Sequence, residues 1–242
     1  MGHPSGAAFL PGTKTLLVAD LHLGYGWAQR RRGELGPLAD ERSREKLLNV
    51  CGELTPARIV FLGDLVHAPR PCAEERRWIE TLLEELSRRA ELIAVRGNHD
   101  RAFAREFAHL PVRTLEVWPE GNLFAIHGDH LPLTPLKKQT LVAGHVHPCL
   151  PVIDAAGASH KLPVFLGNSR CILLPAFSPF ARGYNVACGL PEKLLLHFGE
   201  HEIQAYAATP TRVLRLGPLG QTVRRIFEAN VSAPAQFRRR LS

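Results

Sequence analysis

Residues 16–22 read LLVADLH, an aliphatic run that stops at Asp20 and His22, and four later runs repeat the device. IVFLGD (59–64) ends at Asp64, and LIAVRGNHD (92–100) carries Asn98, His99 and Asp100. LFAIHG (123–128) reaches His127, and LVAGHVH (141–147) supplies His145 and His147. Runs this short and this rich in aliphatic and β-branched residues read as buried strands, and each polar cluster sits where its strand would stop. In open α/β sheets, functional residues gather beyond the carboxyl ends of the strands. Five segments delivering His, Asp and Asn to one edge therefore point to a dinuclear metal site.

Between the first three runs lie helical patterns at 38–54 and 73–89. The second puts Trp78, Leu82, Leu83 and Leu86 on one face and its charges on the other. Strand and helix thus alternate through Asp100, which predicts a parallel sheet with right-handed crossovers. Beyond Asp100 the pattern changes to a short helix at 102–108 and strand-like runs near 113–118, 123–127, 140–144, 151–154, 162–166 and 171–175. Pro and Gly separate most of them, so they read as antiparallel strands or crossover ends. LLLHF (194–198) and RVLRL (212–216) are further strand candidates, and 219–230 suits a terminal helix. The sum is two sheets packed face to face with helices outside.

The donors are all oxygen or imidazole nitrogen. That chemistry suits two divalent ions, manganese first, with iron, zinc, cobalt or nickel as alternatives, and argues against a cysteine-rich structural zinc. The five cysteines are scattered and form no CxxC, as expected of reduced thiols in a cytoplasmic protein. Asp64 is the natural carboxylate to share between two ions, because Gly63 lets the chain turn tightly before it. Asp20 and His22, like His145 and His147, are two residues apart and would point to one side of an extended segment. No apolar run approaches the roughly 20 residues needed to span a bilayer, so no membrane partner is expected. Nor does the N-terminal stretch have the apolar core of a signal peptide.

Of the net charge of +7, the segment from Arg212 to Ser242 carries +6, with seven arginines against Glu228 alone. The reading is a domain over 1–211 followed by a basic extension over 212–242, which is either a grip for DNA or RNA or a solvated tail.

Asp20-x-His22, Gly63-Asp64, Gly97-Asn98-His99-Asp100, His127-Gly128 and Gly144-His145-x-His147, in that order, resemble the motif series of calcineurin-like metallophosphoesterases. The resemblance implies an α/β fold, a four-layer α/β/β/α sandwich of two mixed β-sheets flanked by helices. It also implies that Asp20, His22, Asp64 and His147 hold one metal, and that Asp64, Asn98, His127 and His145 hold the other. His99 would be the acid beside the phosphate, oriented by Asp100. GDLVHAPRP (63–71) looks like the SbcD-type repair nuclease branch, and the run from Leu162 to Gly183 is similar to the close of DNA-ligase-associated metallophosphoesterases. That branch implies DNA-repair protein partners. The chain departs from it after LPAF, where Ser178-Pro-Phe-Ala-Arg182-Gly183 replaces a Thr-Gly-Gly-like turn.

The function expected is phosphodiester hydrolysis of nucleic acid or a nucleotide diester by a metal-bridging hydroxide, since coordination lowers the pKa of water toward about 7. The alternatives are a small-molecule phosphomonoesterase or cyclic-nucleotide phosphodiesterase, and a DNA-binding scaffold subunit of a repair assembly. His67 reads either as a buried hydrogen-bonded imidazole or as a substrate contact, and Arg182 as a phosphate clamp. Arg30, Arg31 and Arg32 either line the substrate groove or lead, solvated, into a helix.

Overall fold

The computed structural model describes residues 1–34, 39–153 and 158–231. The first sheet is built from β1 (Ala8–Leu10), β2 (Thr15–Val18), β3 (Arg58–Leu62), β4 (Glu91–Val95) and β5 (Val112–Leu115), side by side in that order. β1 is antiparallel to β2 and the remaining pairs are parallel. The crossovers are the helices α1 (Tyr25–Arg31), α2 (Ala39–Leu54), α3 (Ala73–Ser87) and the short α4 (Phe103–Glu106).

The chain then crosses to a second, nine-stranded sheet. It enters through β6 (Trp118–Glu120), β7 (Leu123–Ile126), β8 (Thr140–Ala143), β9 (Pro148–Ile153), β10 (Ser159–Gly167) and β11 (Cys171–Leu173). β12 (Tyr184–Asn185), β13 (Gln204–Ala208) and β14 (Val213–Pro218) complete it. β8 lies parallel to both β7 and β11, while β10 is antiparallel to β9, β11 and β13, so this sheet too is mixed. The run expected as one strand over 113–118 is therefore two, with Glu116 and Val117 carrying the chain from one sheet to the other.

Strict alternation along the strands produces the layers. Leu16, Val18, Ile59, Phe61, Leu92 and Ala94 face outward against Leu47, Val50, Ile79, Leu82, Leu83 and Leu86 of α2 and α3. Leu17, Ala19, Val60, Leu62, Ile93 and Val95 face inward and meet Trp118, Ala125, Val142, Phe165 and Leu174 of the second sheet. The outer face of that sheet, with Leu141, Ala143, Val164, Leu166 and Leu173, is covered by α5 (Glu192–Phe198) and α6 (Leu219–Val231). Helix, sheet, sheet, helix is the order throughout. Trp78 is only partly buried, since its indole N–H reaches Glu41 on α2 at 2.8 Å.

The LLLHF run is a helix, not a strand. It starts after Pro191 and buries Leu194, His197 and Phe198 at spacings of three and four, leaving Leu195 and Leu196 exposed. The segment read as a basic extension contributes β14 to the second sheet and α6 to the layer on its outer face, and residues 232–242, with Arg238, Arg239 and Arg240, lie outside the described residues. Among the described residues no helix is long and apolar enough to cross a membrane.

Candidate metal centre

The parallel strands β2, β3 and β4 of one sheet and β7 and β8 of the other all end at one place, and every donor residue expected from the sequence follows one of these ends. The turns after them are stitched together by main-chain bonds. The His22 N–H donates to Asp64 O at 2.8 Å, Gly144 N–H to His127 O at 2.9 Å, and Phe177 N–H to Ala19 O at 2.8 Å.

The turns are also strained. Asp20, His22, Asp64, His145 and His147 all have φ between 48° and 63°, which side-chain-bearing residues rarely adopt. The extended geometry expected for the two DxH-like pairs is thus replaced by left-handed residues, which still turn the two side chains of each pair toward one centre. Backbone strain of this kind persists where the surroundings over-determine it, and it clusters at functional sites.

Three groups of donor atoms result, each with its atoms within 4.8 Å of one another: two contain a carboxylate, Asp20, His22 and His147 in one and Asp64, His127 and His145 in the other, and a third joins His22 to His67 and His99. His127 Nδ1 lies 3.1 Å from Leu62 O. A carbonyl only accepts, so Nδ1 carries the proton and Nε2 presents a lone pair. That Nε2 is 3.0 Å from His145 Nδ1, 3.1 Å from Asn98 Oδ1 and 3.5 Å from Asp64 Oδ1. Such a convergence of electron-pair donors suits a cation. In the other group His147 Nδ1 donates to Arg182 O at 3.2 Å, and its Nε2 points at Asp20 Oδ1, 3.1 Å away. Asp20 Oδ1, His147 Nε2 and His22 Nδ1 are buried without a hydrogen-bond partner. Buried polar atoms left unpaired are costly, and a metal would satisfy these three.

The electrostatics agree. Burial holds the His22 imidazolium down to about 3, so the ring is neutral and able to ligate. Burial pushes the Asp20 carboxyl upward, but His147, His127 and His22 outweigh it and hold the group below the ordinary carboxylate range.

His99 is 33% exposed at the rim, with Nε2 4.0 Å from Asp64 Oδ2. Its orientation differs from the expectation. Nδ1 donates to the main-chain oxygen of His67 at 2.7 Å. The Asp100 carboxylate does not hold the ring; it accepts from the N–H groups of Leu65, Val66 and Gly97 at 3.1–3.2 Å. It thus ties the turn after β3 to the turn after β4, and burial, helped by Asp64, pushes it up to about 6. The His67 ring stacks on His99, its centroid 5.3 Å away. Arg182 is exposed and contributes its carbonyl to His147. Arg31 pairs with the buried Glu75 at 2.6 Å and Arg30 lies over Trp27, so neither is simply solvated. Sequence reasoning misses the carbonyls of Leu62, His67 and Arg182, because any residue type supplies a carbonyl.

Gly63 has φ 76° and lies against the His127 ring, which a Cβ at that position would overlap. Gly63→Ala is expected to destabilise the metal-free protein by about 2–4 kcal/mol through backbone strain and overpacking. Urea unfolding of the two chelated proteins measures this; equal midpoints would show that the turn tolerates a side chain.

The chain is similar to known proteins. A family model described as calcineurin-like phosphoesterase matches residues 13–154. The crystal structure of the Pseudomonas putida nuclease MPE superimposes with a TM-score of 0.67 at 24% identity, over 88% of this chain and 93% of that one. YfcE, a phosphoesterase from E. coli, aligns with a TM-score of 0.39 at 19% identity, over 80% of this chain and 86% of that one. No curated protein matches the chain in sequence.

Proposed function

The chain belongs to the calcineurin-like phosphoesterase family, and from that premise we propose that it is a dinuclear metal-dependent phosphodiesterase acting on nucleic acid or a nucleotide diester. The observation that carries the reading is the pair of donor groups at one set of strand ends, with Asp64 reaching toward both. Asp20, His22, Asp64 and His147 would hold one divalent ion, and Asp64, Asn98, His127 and His145 the other; the carboxylates suit manganese and the imidazoles iron, zinc or nickel. Such ions supply Lewis acidity and a water of lowered pKa.

The protein's own groups do the rest. The carbonyls of Leu62 and Arg182 fix the tautomers of His127 and His147, so both rings offer a lone pair at Nε2. The His67 carbonyl holds His99 with Nδ1 protonated, so in the imidazolium form the second proton sits on Nε2, the atom that faces the centre, and its loss leaves the neutral Nδ1–H ring in place. From Nε2 that proton can pass to a leaving alkoxide. Asp100 keeps the two turns that carry Asp64 and His99 at a fixed spacing.

The basic C-terminal segment favours a polyanionic substrate. Arg212 and Arg215 flank or lie within β14, and Arg224 and Arg225 lie on α6, all four exposed. Metal-reconstituted protein is expected to hydrolyse bis-p-nitrophenyl phosphate and single-stranded DNA faster than p-nitrophenyl phosphate or cyclic nucleotides; the reverse order would move a small-molecule substrate into first place. Removing Arg238, Arg239 and Arg240 should flatten the salt dependence of DNA affinity, by about 0.7–0.9 in log–log slope for each phosphate no longer neutralised. Identical slopes for intact and shortened protein would make the segment a solvated tail.

A further inference from the structure

Two clefts open from the metal centre, and their charges differ. The cleft beside Asn98 and His127, of about 470 Å³, has Arg96 and Arg101 on its walls but also Glu116 and Asp129, and Arg96 is paired with Glu116 at 2.7 Å. The cleft on the other side, of about 550 Å³, is lined by His147, Lys46, Lys161, Ser178 and Thr209, and among the described residues no carboxylate lines it.

Its two lysines are held by main-chain oxygens. Lys46 Nζ donates to Phe177 O at 2.6 Å and lies 4.3 Å from the centre of the Phe177 ring. Lys161 Nζ donates to Gly183 O at 3.3 Å. Neither forms an ion pair with an acid among the described residues. An ammonium has three donors and each of these commits one to a carbonyl, so donors remain for an anion. The walls include Pro148, Pro163, Pro175 and Pro179, whose fixed φ keeps the cleft pre-formed. Burial without a carboxylate partner lowers the Lys46 amine to about 8, the response of a cation that lacks its counter-ion.

A phosphomonoester has one phosphate, and the metal centre takes it. A cationic cleft that shares His147 with that centre is useful to a substrate carrying a second phosphate next to the first. We propose that this cleft is an anion subsite that holds the phosphate flanking the scissile one in a polyanionic phosphodiester, with Lys46 and Lys161 as its cations. The inference rests on the phosphodiesterase reading and narrows it to a strand rather than an isolated diester.

The test measures inhibition of bis-p-nitrophenyl phosphate hydrolysis by oligothymidylate in the metal-loaded full chain, across a salt series. Lys161→Met is the principal variant; its amine holds Gly183, next to the Arg182 carbonyl that fixes His147, so metal content is determined for it as well. Lys46→Met also frees the Phe177 carbonyl, so its metal content is determined alongside. In Lys161→Met the inhibition constant of the oligonucleotide should rise about fivefold and its salt slope fall by about 0.7, with Lys161→Arg restoring both. Inorganic phosphate, which needs only the metal centre, should shift less. An unchanged oligonucleotide constant, or an equal shift for inorganic phosphate, overturns the subsite alone. A wild-type protein that hydrolyses no diester, or that oligothymidylate does not inhibit, overturns the nucleic-acid reading and the subsite with it.

Discussion

Asp64→Ala is expected to abolish turnover and to empty both metal positions together. The two oxygens of this carboxylate face different partners. Oδ1 lies 3.5 Å from His127 Nε2 and accepts the His99 N–H at 2.9 Å, while Oδ2 lies 3.8 Å from His22 Nε2. Asp20, of the His22 and His147 group, also lies 3.7 Å from His127, but from the Nδ1 that is committed to Leu62 O, so Asp64 is the carboxylate that meets the free Nε2. Deleting Asp64 leaves one group with two imidazoles and no carboxylate, and the other with Asp20 alone as its carboxylate. Metal assistance is worth several kcal/mol of transition-state stabilisation, so the rate on a nitrophenyl diester should fall at least about 10³-fold. Elemental analysis after gel filtration gives the metal count, and an Asp64→Ala protein that retains two equivalents would remove Asp64 from the shared position. Asp64→Asn serves as the companion variant, since it keeps the shape and a donor oxygen while losing the charge. Alanine at φ 48° is strained whatever the metals do, so unfolding of the chelated proteins separates loss of metal from loss of fold.

Where the candidate donors sit, at the strand ends, could be read from the sequence because the physics that places them is periodic and local. A strand buried on both faces is an unbroken aliphatic run, so its end is visible as the first polar residue: Asp20, Asp64, Arg96 (two before Asn98), His127, His145. How the strands are shared between two sheets was less legible. Nothing in RTLEVW (113–118) marks where the chain leaves the first sheet for the second, because that choice is made by pairing with β4 on one side and β7 on the other. LLLHF failed for a different reason. Five residues are too few to tell a period of 2 from one of 3.6, and β-like composition won over the helix-starting Pro191. The Asp100 assignment shows a further limit. The family resemblance implied that Asp100 orients His99, but a carboxylate buried among three main-chain N–H groups answers to the main chain first.

His99→Ala is expected to keep both metal equivalents and lose rate. The side chain belongs to neither carboxylate-bearing donor group, only to the all-imidazole set with His22 and His67, and its Nδ1 is committed to His67 O, so Nε2 is the one atom it offers the reaction. If that atom protonates the departing oxygen, the loss should depend on how much the oxygen needs the proton. General acid catalysis contributes about 10²–10⁴-fold, and the upper part of that range should appear with alkyl esters and with DNA, whose leaving alkoxides are strongly basic. Nitrophenolate leaves without help, so bis-p-nitrophenyl phosphate should lose far less. A purely structural role predicts something else: removing the ring would loosen the His67 carbonyl and the stacked His67 ring, and slow every substrate by a similar factor. His99→Asn sharpens the contrast, because an amide can still donate to His67 O while carrying no transferable proton. The measurement is kcat for a nitrophenyl and an alkyl diester in wild type, His99→Ala and His99→Asn, with metal content determined on the same samples. A steep leaving-group dependence in both variants assigns the proton to Nε2. A uniform loss that His99→Asn repairs would instead make His99 a positioning residue for the turn that carries Asp64.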